Sequence, residues 1–216
     1  MRTCSPSLSA VYHWDQFDGK VRDSLNRILG CHLTDTAWLQ TQLPVSKGGS
    51  GLRCTAKHAS VAYIASLASC RDLVEDVTTD LQLNLDLSEA ISHLNNVLCK
   101  DQDGDQEGLT EAIVITLKQR ELSIMVDNVI KGSLLDSVET TREKARLHSV
   151  ALPHAGDWLF VVPSPSPGLN LRPAEFRAAM LYRLGMPIFD SEGPCIACGN
   201  TNSDCYGDHT VGCTSR

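Results

Sequence analysis

Cys195-Ile196-Ala197-Cys198-Gly199-Asn200-Thr201-Asn202-Ser203-Asp204-Cys205-Tyr206-Gly207-Asp208-His209-Thr210-Val211-Gly212-Cys213 is the most informative stretch of the chain. Two cysteines flank a two-residue turn, His209 follows Cys198 after ten residues, and Cys213 comes three residues later. Thiolates and an imidazole at this spacing supply the tetrahedral S and N donors that zinc prefers. Cys195, Cys198, His209 and Cys213 are therefore expected to form one zinc site. Four protein ligands leave no position for water, so the site reads as structural rather than catalytic. In a tail too short for a core of its own, the metal would supply much of the folding energy. Cys205, separated from Cys198 by six residues, is a rival to His209 as the remaining ligand, and unliganded or oxidised cysteines are the alternative to zinc.

Upstream, Pro173 suits the first turn of a helix whose stripe is Phe176, Met180, Leu181 and Leu184, closed by Gly185 and Pro187. Arg172, Arg177 and Arg183 stand off that stripe, and a planar guanidinium can give phosphate two parallel hydrogen bonds. These three arginines are the candidate nucleic-acid contacts. Residues 141–188 carry six cations against three acids, whereas residues 71–111 carry eleven acids against two cations, within a net charge of −7. A solvated helix face is the plainer explanation of the basic stretch.

Helical spacing recurs elsewhere. Phe17, Val21, Leu25, Ile28 and Leu29 form a first stripe ending at Gly30, and a small-residue helix covers Cys54 to about Ala68. Ser88 can cap a helix carrying Ile91, Leu94, Val97 and Leu98. A longer helical stretch covers about 109–150 with Gly132 as its expected break. Trp158 to Val162 is a short β-compatible run, and Pro163, Pro165 and Pro167 suggest a stiff extended connector.

The chain has 216 residues, enough for one or two domains with their own cores. Neither a signal peptide nor a membrane span is apparent. Of nine cysteines, Cys4, Cys31, Cys54, Cys70 and Cys99 are scattered singly, which fits a reducing compartment, cytoplasm or nucleus. Asp101–Glu107 looks like a calcium loop, but Gln106 and Ala112 stand where an EF-hand needs Gly and Glu, so a solvated acidic loop is expected. Lys47-Gly48-Gly49-Ser50-Gly51 lacks the Gly-Lys-Ser/Thr ending of a phosphate-binding loop and reads as a turn. His154 and Asp157 have no activated nucleophile beside them. No catalytic residue is assigned.

A series of motifs, taken in order, resembles the region after the catalytic palm in reverse transcriptase-like proteins of non-LTR retrotransposons. They are Ala37-Trp38-Leu39-Gln40, Leu43-Pro44-Val45, Gly48–Arg53, Ala145-Arg146-Leu147, Pro153–Leu159, Phe176–Gly185, and Cys195, Cys198 and Gly207-Asp208-His209 leading to Cys213. The resemblance implies a helical thumb gripping a nucleic-acid duplex, then a connector and a zinc knuckle that helps hold RNA or DNA. Ser50 departs from it, standing where the family usually has an apolar residue. No Asp-Asp pair of the kind a polymerase palm uses to hold its metals occurs in the chain, so polymerisation by this chain alone is not expected. The expected architecture is mainly α: a helical thumb-like bundle over 1–150, a connector and basic helix over 151–190, and a small CCHC zinc-knuckle tail over 191–216. The competing reading is a zinc-stabilised helical module that binds a protein partner through the acidic 71–111 region.

Overall fold

The computed structural model describes residues 8–77, 87–99, 108–164, 168–199 and 202–214. The acidic 101–107 loop, much of the 71–111 region, Cys4, Pro165 and Pro167 lie outside them. The protein is mainly helical: α1 Leu8–Leu29, α2 Asp35–Gln42, α3 Thr55–Val77, α4 Ser88–Cys99, α5 Glu111–Val114, α6 Gln119–Ser137, α7 Thr141–Val150, α8 Pro173–Leu184 and α9 Asp208–Gly212. The strands described are two-residue pieces, β1 Gly193–Pro194 and β2 Asn202–Ser203, paired antiparallel.

The chain forms two compact units, one from residues 1–21 and 53–136, the other from 22–52 and 137–216. Residues 22–52 share a core with α8, so an early segment and the end of the chain belong together.

In the first unit Val61, Ile64, Leu94, Val114, Leu122, Val126 and Ile130 are fully buried. Leu122, Val126, Ile130 and Leu134 are spaced four apart and so line one face of α6. Ile113 and Ile124, which the periodicity also selects, are exposed. Gly132 lies inside α6 rather than breaking it. The helix ends instead before Thr140, whose hydroxyl accepts the Glu143 amide at the start of α7, a side-chain N-cap stronger as a boundary signal than a lone glycine. Asp18 serves the same purpose for α3, its carboxylate accepting the amides of Thr55 (3.0 Å) and Ala56 (3.2 Å). Burial pushes the neighbouring Cys54 thiol up to about 12, so it packs as a neutral side chain. Asp127, also buried, accepts from Arg53 and pairs with His58.

The second unit is built on Leu25, Leu29, Leu33, Ala37, Met180, Leu184 and Met186. Trp158 and Phe176 pack edge to face on this cluster, with centroids 6.2 Å apart. Asp157–Phe160 is a 3-10 turn, not the expected strand, because the chain reaches it through tight turns that include a left-handed His154.

Beside this core lies a buried polar hub. Arg183 is 3% exposed, and its guanidinium donates to the carbonyls of Val45 (2.9 Å), Gly49 (3.1 Å) and Ala155 (3.1 Å). Gln40, fully buried, donates to the carbonyls of Gly48 and Arg183 and accepts from Arg146, which also donates to the Arg183 carbonyl. This corrects the expectation for Arg183: it sits seven residues after Phe176 and three after Met180, and those spacings put it on the buried face of the helix. Two glycines make the approach possible. A Cβ on Gly49 would lie 2.0 Å from the Leu43 carbonyl oxygen, and one on Gly185, which ends α8 at φ +70°, would lie 2.4 Å from Arg146 Nε. Ser50 Oγ is buried here without a protein hydrogen-bond partner.

Two stability predictions follow from the hub. Arg183→Ala leaves three carbonyls without their donor and should lower unfolding free energy in urea by about 3 kcal/mol, and Arg183→Lys should not restore it, because an ammonium lacks the fork. Ser50→Ala removes an orphan hydroxyl and should raise stability by about 1 kcal/mol in the same measurement. A destabilised Ser50→Ala protein would mean the hydroxyl is satisfied in solution.

Candidate metal centre

The last residues of the second unit form a small turn-rich lobe. β1 and β2 pair Gly193 with Ser203 and Pro194 with Asn202, and the turn between them places Cys195 and Cys198 together. That turn is closed by the Gly199 amide donating to the Cys195 carbonyl at 2.8 Å, with Gly199 at φ +67°. The other pair comes from α9 and the residue that ends it, Cys213. His209 and Cys213 are four residues apart and therefore face one way.

Asp204 sets the position of α9. Its carboxylate accepts the amides of Tyr206, Asp208 and His209 at 2.9–3.1 Å. Burial acts to raise the Asp204 pKa, but the amide donors outweigh it and hold the carboxyl below its ordinary value. The lobe is tied to α7 by Arg142, whose guanidinium donates to both carboxylate oxygens of Asp208 and stacks 3.9 Å over the Tyr206 ring. Burial opposes the Arg142 charge, and the Asp208 hydrogen bonds more than offset it, so its pKa is raised. Sequence inspection missed Arg142, since nothing local points to a partner 66 residues away. Asp204 carried a faint signal as an acid shortly before Gly207 at a helix start.

One ligand atom from each of Cys195, Cys198, His209 and Cys213 lies within 4.8 Å of the others. Cys195 Sγ and Cys213 Sγ are 3.9 Å apart, and Cys198 Sγ and His209 Nε2 are 3.4 Å apart. A tetrahedral ion with metal–sulfur and metal–nitrogen bonds of about 2.3 and 2.0 Å implies edges of about 3.8 Å between sulfurs and about 3.5 Å between sulfur and nitrogen. The two distances fit that frame, so the group can hold a metal ion. Cys205 is not part of the group. Its backbone carbonyl accepts the amides of Ile188 and Phe189, which joins the lobe to the chain leaving α8.

The electrostatics suit an ion that needs anionic sulfur. Backbone hydrogen bonds from Cys198 and Ala197, helped by the Cys198 and His209 side chains, lower the Cys195 thiol from 9.0 to about 6. Cys198 and Cys195 in turn hold the His209 imidazole above its ordinary value. The other candidate residues lie elsewhere. Arg172 is exposed at the start of α8 and bound to the Glu175 carboxylate (2.6 and 2.8 Å), Arg177 is exposed with Nε donating to the Ile28 carbonyl (2.9 Å), and Arg183 is buried in the hub. His154 and Asp157 touch at 2.7 Å on the surface as a local turn pair. Among the described residues no helix is long and apolar enough to cross a membrane.

Metal analysis of the purified protein should find one ion per chain, lost in Cys198→Ser and retained in Cys205→Ser; loss in Cys205→Ser would move the assignment away from His209. The depressed Cys195 pKa also fixes a pH dependence. Its contribution to the folded lobe is fully present above 9.0 and is lost as pH falls through about 6, so acid should release the ion and loosen the lobe together. A metal affinity that is flat between pH 8 and pH 5 would contradict thiolate ligation.

No family model, curated protein or solved structure matches the chain, so the donor geometry is what characterises this site.

Proposed function

We propose that Cys195, Cys198, His209 and Cys213 hold one structural zinc ion as a CCHC knuckle, and that the protein is a catalytically incomplete, nucleic-acid-binding relative of non-LTR retrotransposon reverse transcriptase-like proteins. The observation that carries this reading is the convergence of three thiols and one imidazole at tetrahedral edge lengths. Three sulfurs and a nitrogen favour zinc over hard cations such as magnesium or calcium, which take oxygen ligands. With all four positions filled, zinc there would supply folding energy and no open position for a substrate. The Cys195, Cys198 and Cys213 thiolates and the neutral His209 ring are the protein's part in holding it.

The kinship is supported by where the resembling stretches meet. Gln40, Val45, Gly49, Arg146, Ala155, Arg183 and Gly185 come from six of the resembling stretches, and all of them belong to the one hub. Scattered motifs that serve one packing problem are what a shared fold would produce.

For nucleic acid, the exposed arginines are the relevant groups, and Arg183 drops out. Arg177 borders a cleft of about 420 Å³ at Gly30 that is lined by Arg27, His32 and Asn26, with Asp23 as its one acid. Arg27 and His32 are exposed. Arg177 at α8 and Arg27 at the end of α1 form the proposed cationic strip in the second unit, whereas Arg172 is already held by Glu175. The metal lobe is a poorer contact: residues 188–216 carry Asp190, Glu192, Asp204 and Asp208 against Arg216 alone.

The test is binding of RNA or DNA oligonucleotides across a salt series. Arg27→Ala with Arg177→Ala should weaken binding at low salt and reduce the log-log salt slope by about one to two. Stability should change little, since exposed charges typically contribute less than about 1 kcal/mol each. Primer extension on an RNA template should stay at background, and zinc should be the ion recovered. Unchanged affinity and slope in the double variant would remove the strip, and salt-insensitive binding would point to a protein partner instead.

A further inference from the structure

The metal lobe presents a second feature that its structural role leaves unexplained. A groove of about 580 Å³ runs between residues 188–197 and the Ser203, Thr210 and Cys213 side. Its walls include Ile188, Phe189, Pro194 and Ile196, and Cys195 and Cys213 also line it. Ile196 is fully exposed and Phe189 is 43% exposed. The cause is local: a turn that aims Cys195 and Cys198 at one point must aim the residue between them outward. A polar residue there would cost nothing in folding, whereas an isoleucine leaves apolar surface in water at about 25 cal/mol per Å².

Charge selects the occupant. Asp190 lines the groove and Glu192 is its exposed near neighbour in sequence, and among the described residues no cation lines it. Three thiolates and a neutral imidazole around a divalent ion add a further net negative charge. A phosphate backbone would meet this surface with repulsion, and an anionic peptide likewise. We propose that the groove docks a cationic, apolar segment of another protein, an aliphatic or aromatic side chain seating between Phe189 and Ile196 while an adjacent Lys or Arg faces Asp190 and Glu192. Because two metal ligands line the groove, the docking surface exists only in the metal-loaded lobe. This interaction is separate from the cationic strip on α8 and does not depend on nucleic-acid binding.

The experiment uses the full chain, zinc-loaded and isotope-labelled, titrated with three probes while backbone amide resonances are followed: a Leu/Lys peptide, a Leu/Glu peptide of equal length, and an oligothymidine. The Leu/Lys peptide should shift the amides of Phe189, Ile196, Ala197 and Thr210 saturably. Ile196→Ser should weaken that binding on the order of tenfold while keeping the metal, since the side chain touches only solvent. Asp190→Asn with Glu192→Gln should weaken it by roughly threefold and flatten its salt dependence. Chelation should abolish it. No groove response to the Leu/Lys peptide in the zinc-loaded protein, or an equal response to the Leu/Glu peptide, overturns the proposal. So does oligothymidine shifting the same amides, which would assign the groove to nucleic acid. Oligothymidine shifts confined to the residues around Arg27 and Arg177 would support both readings at once.

Discussion

A buried guanidinium with no carboxylate beside it is the constraint around which the second unit is arranged. Arg183 satisfies its charge with the carbonyls of Val45, Gly49 and Ala155, and desolvation lowers its pKa from the ordinary arginine value without a counter-ion to restore it. Carbonyl dipoles can do this only if three separate stretches of backbone turn their oxygens inward at fixed distances. That requirement explains the glycine at 49, the left-handed Gly185 after the helix, and Gln40, whose amide spans the Gly48 and Arg183 carbonyls. It also explains why residues 22–52 belong with the end of the chain, although Gln40 and Arg183 are 143 positions apart in sequence.

The sequence made the helices legible where a local rule operates. Pro173 at a first turn, Gly30 and Gly185 as left-handed terminators, and the Met180–Leu184 stripe all depend on residues within a few positions of one another. It was less informative where the decision is tertiary. Arg183 satisfies the same periodicity as the apolar stripe, but its residue type suggested solvent, and only the converging carbonyls decide otherwise. Trp158–Val162 has β-compatible composition, yet the turns before it and the packing of Trp158 against Phe176 hold Asp157–Phe160 in a 3-10 turn. Gly132 is a poor helix former, but burial of Leu122, Val126, Ile130 and Leu134 along one face outweighs a cost of about 1 kcal/mol.

The metal site was legible for a different reason. Ligand identity and spacing are local, and a two-residue turn between cysteines brings both sulfurs to one point regardless of what surrounds it. What the spacing could not reveal is the framework that makes the site rigid. Asp204 collects three amides and thereby aims α9, while Arg142 grips Asp208 and covers Tyr206. These contacts support the two halves of the lobe where the four donors meet, which lowers the ordering cost of binding an ion.

The distribution of cations then limits what the surface can do. A count over residues 141–188 suggests a basic face, but Arg146 and Arg183 belong to the hub, Arg142 to the metal lobe, and Arg172 to Glu175. Guanidinium groups that serve as internal struts contribute little field at the surface, because their charge is already met by carbonyls or carboxylates. Of that count Lys144 and Arg177 remain exposed, Arg177 beside the cleft of Arg27 and Asp23 at the end of α1, while the candidate metal lobe keeps the exposed Asp190 at an apolar groove. On the proposed reading, surfaces of opposite charge on one unit would take different partners, a polyanion at the first and a cationic apolar segment at the second, because either partner placed on the other surface would face charge of its own sign.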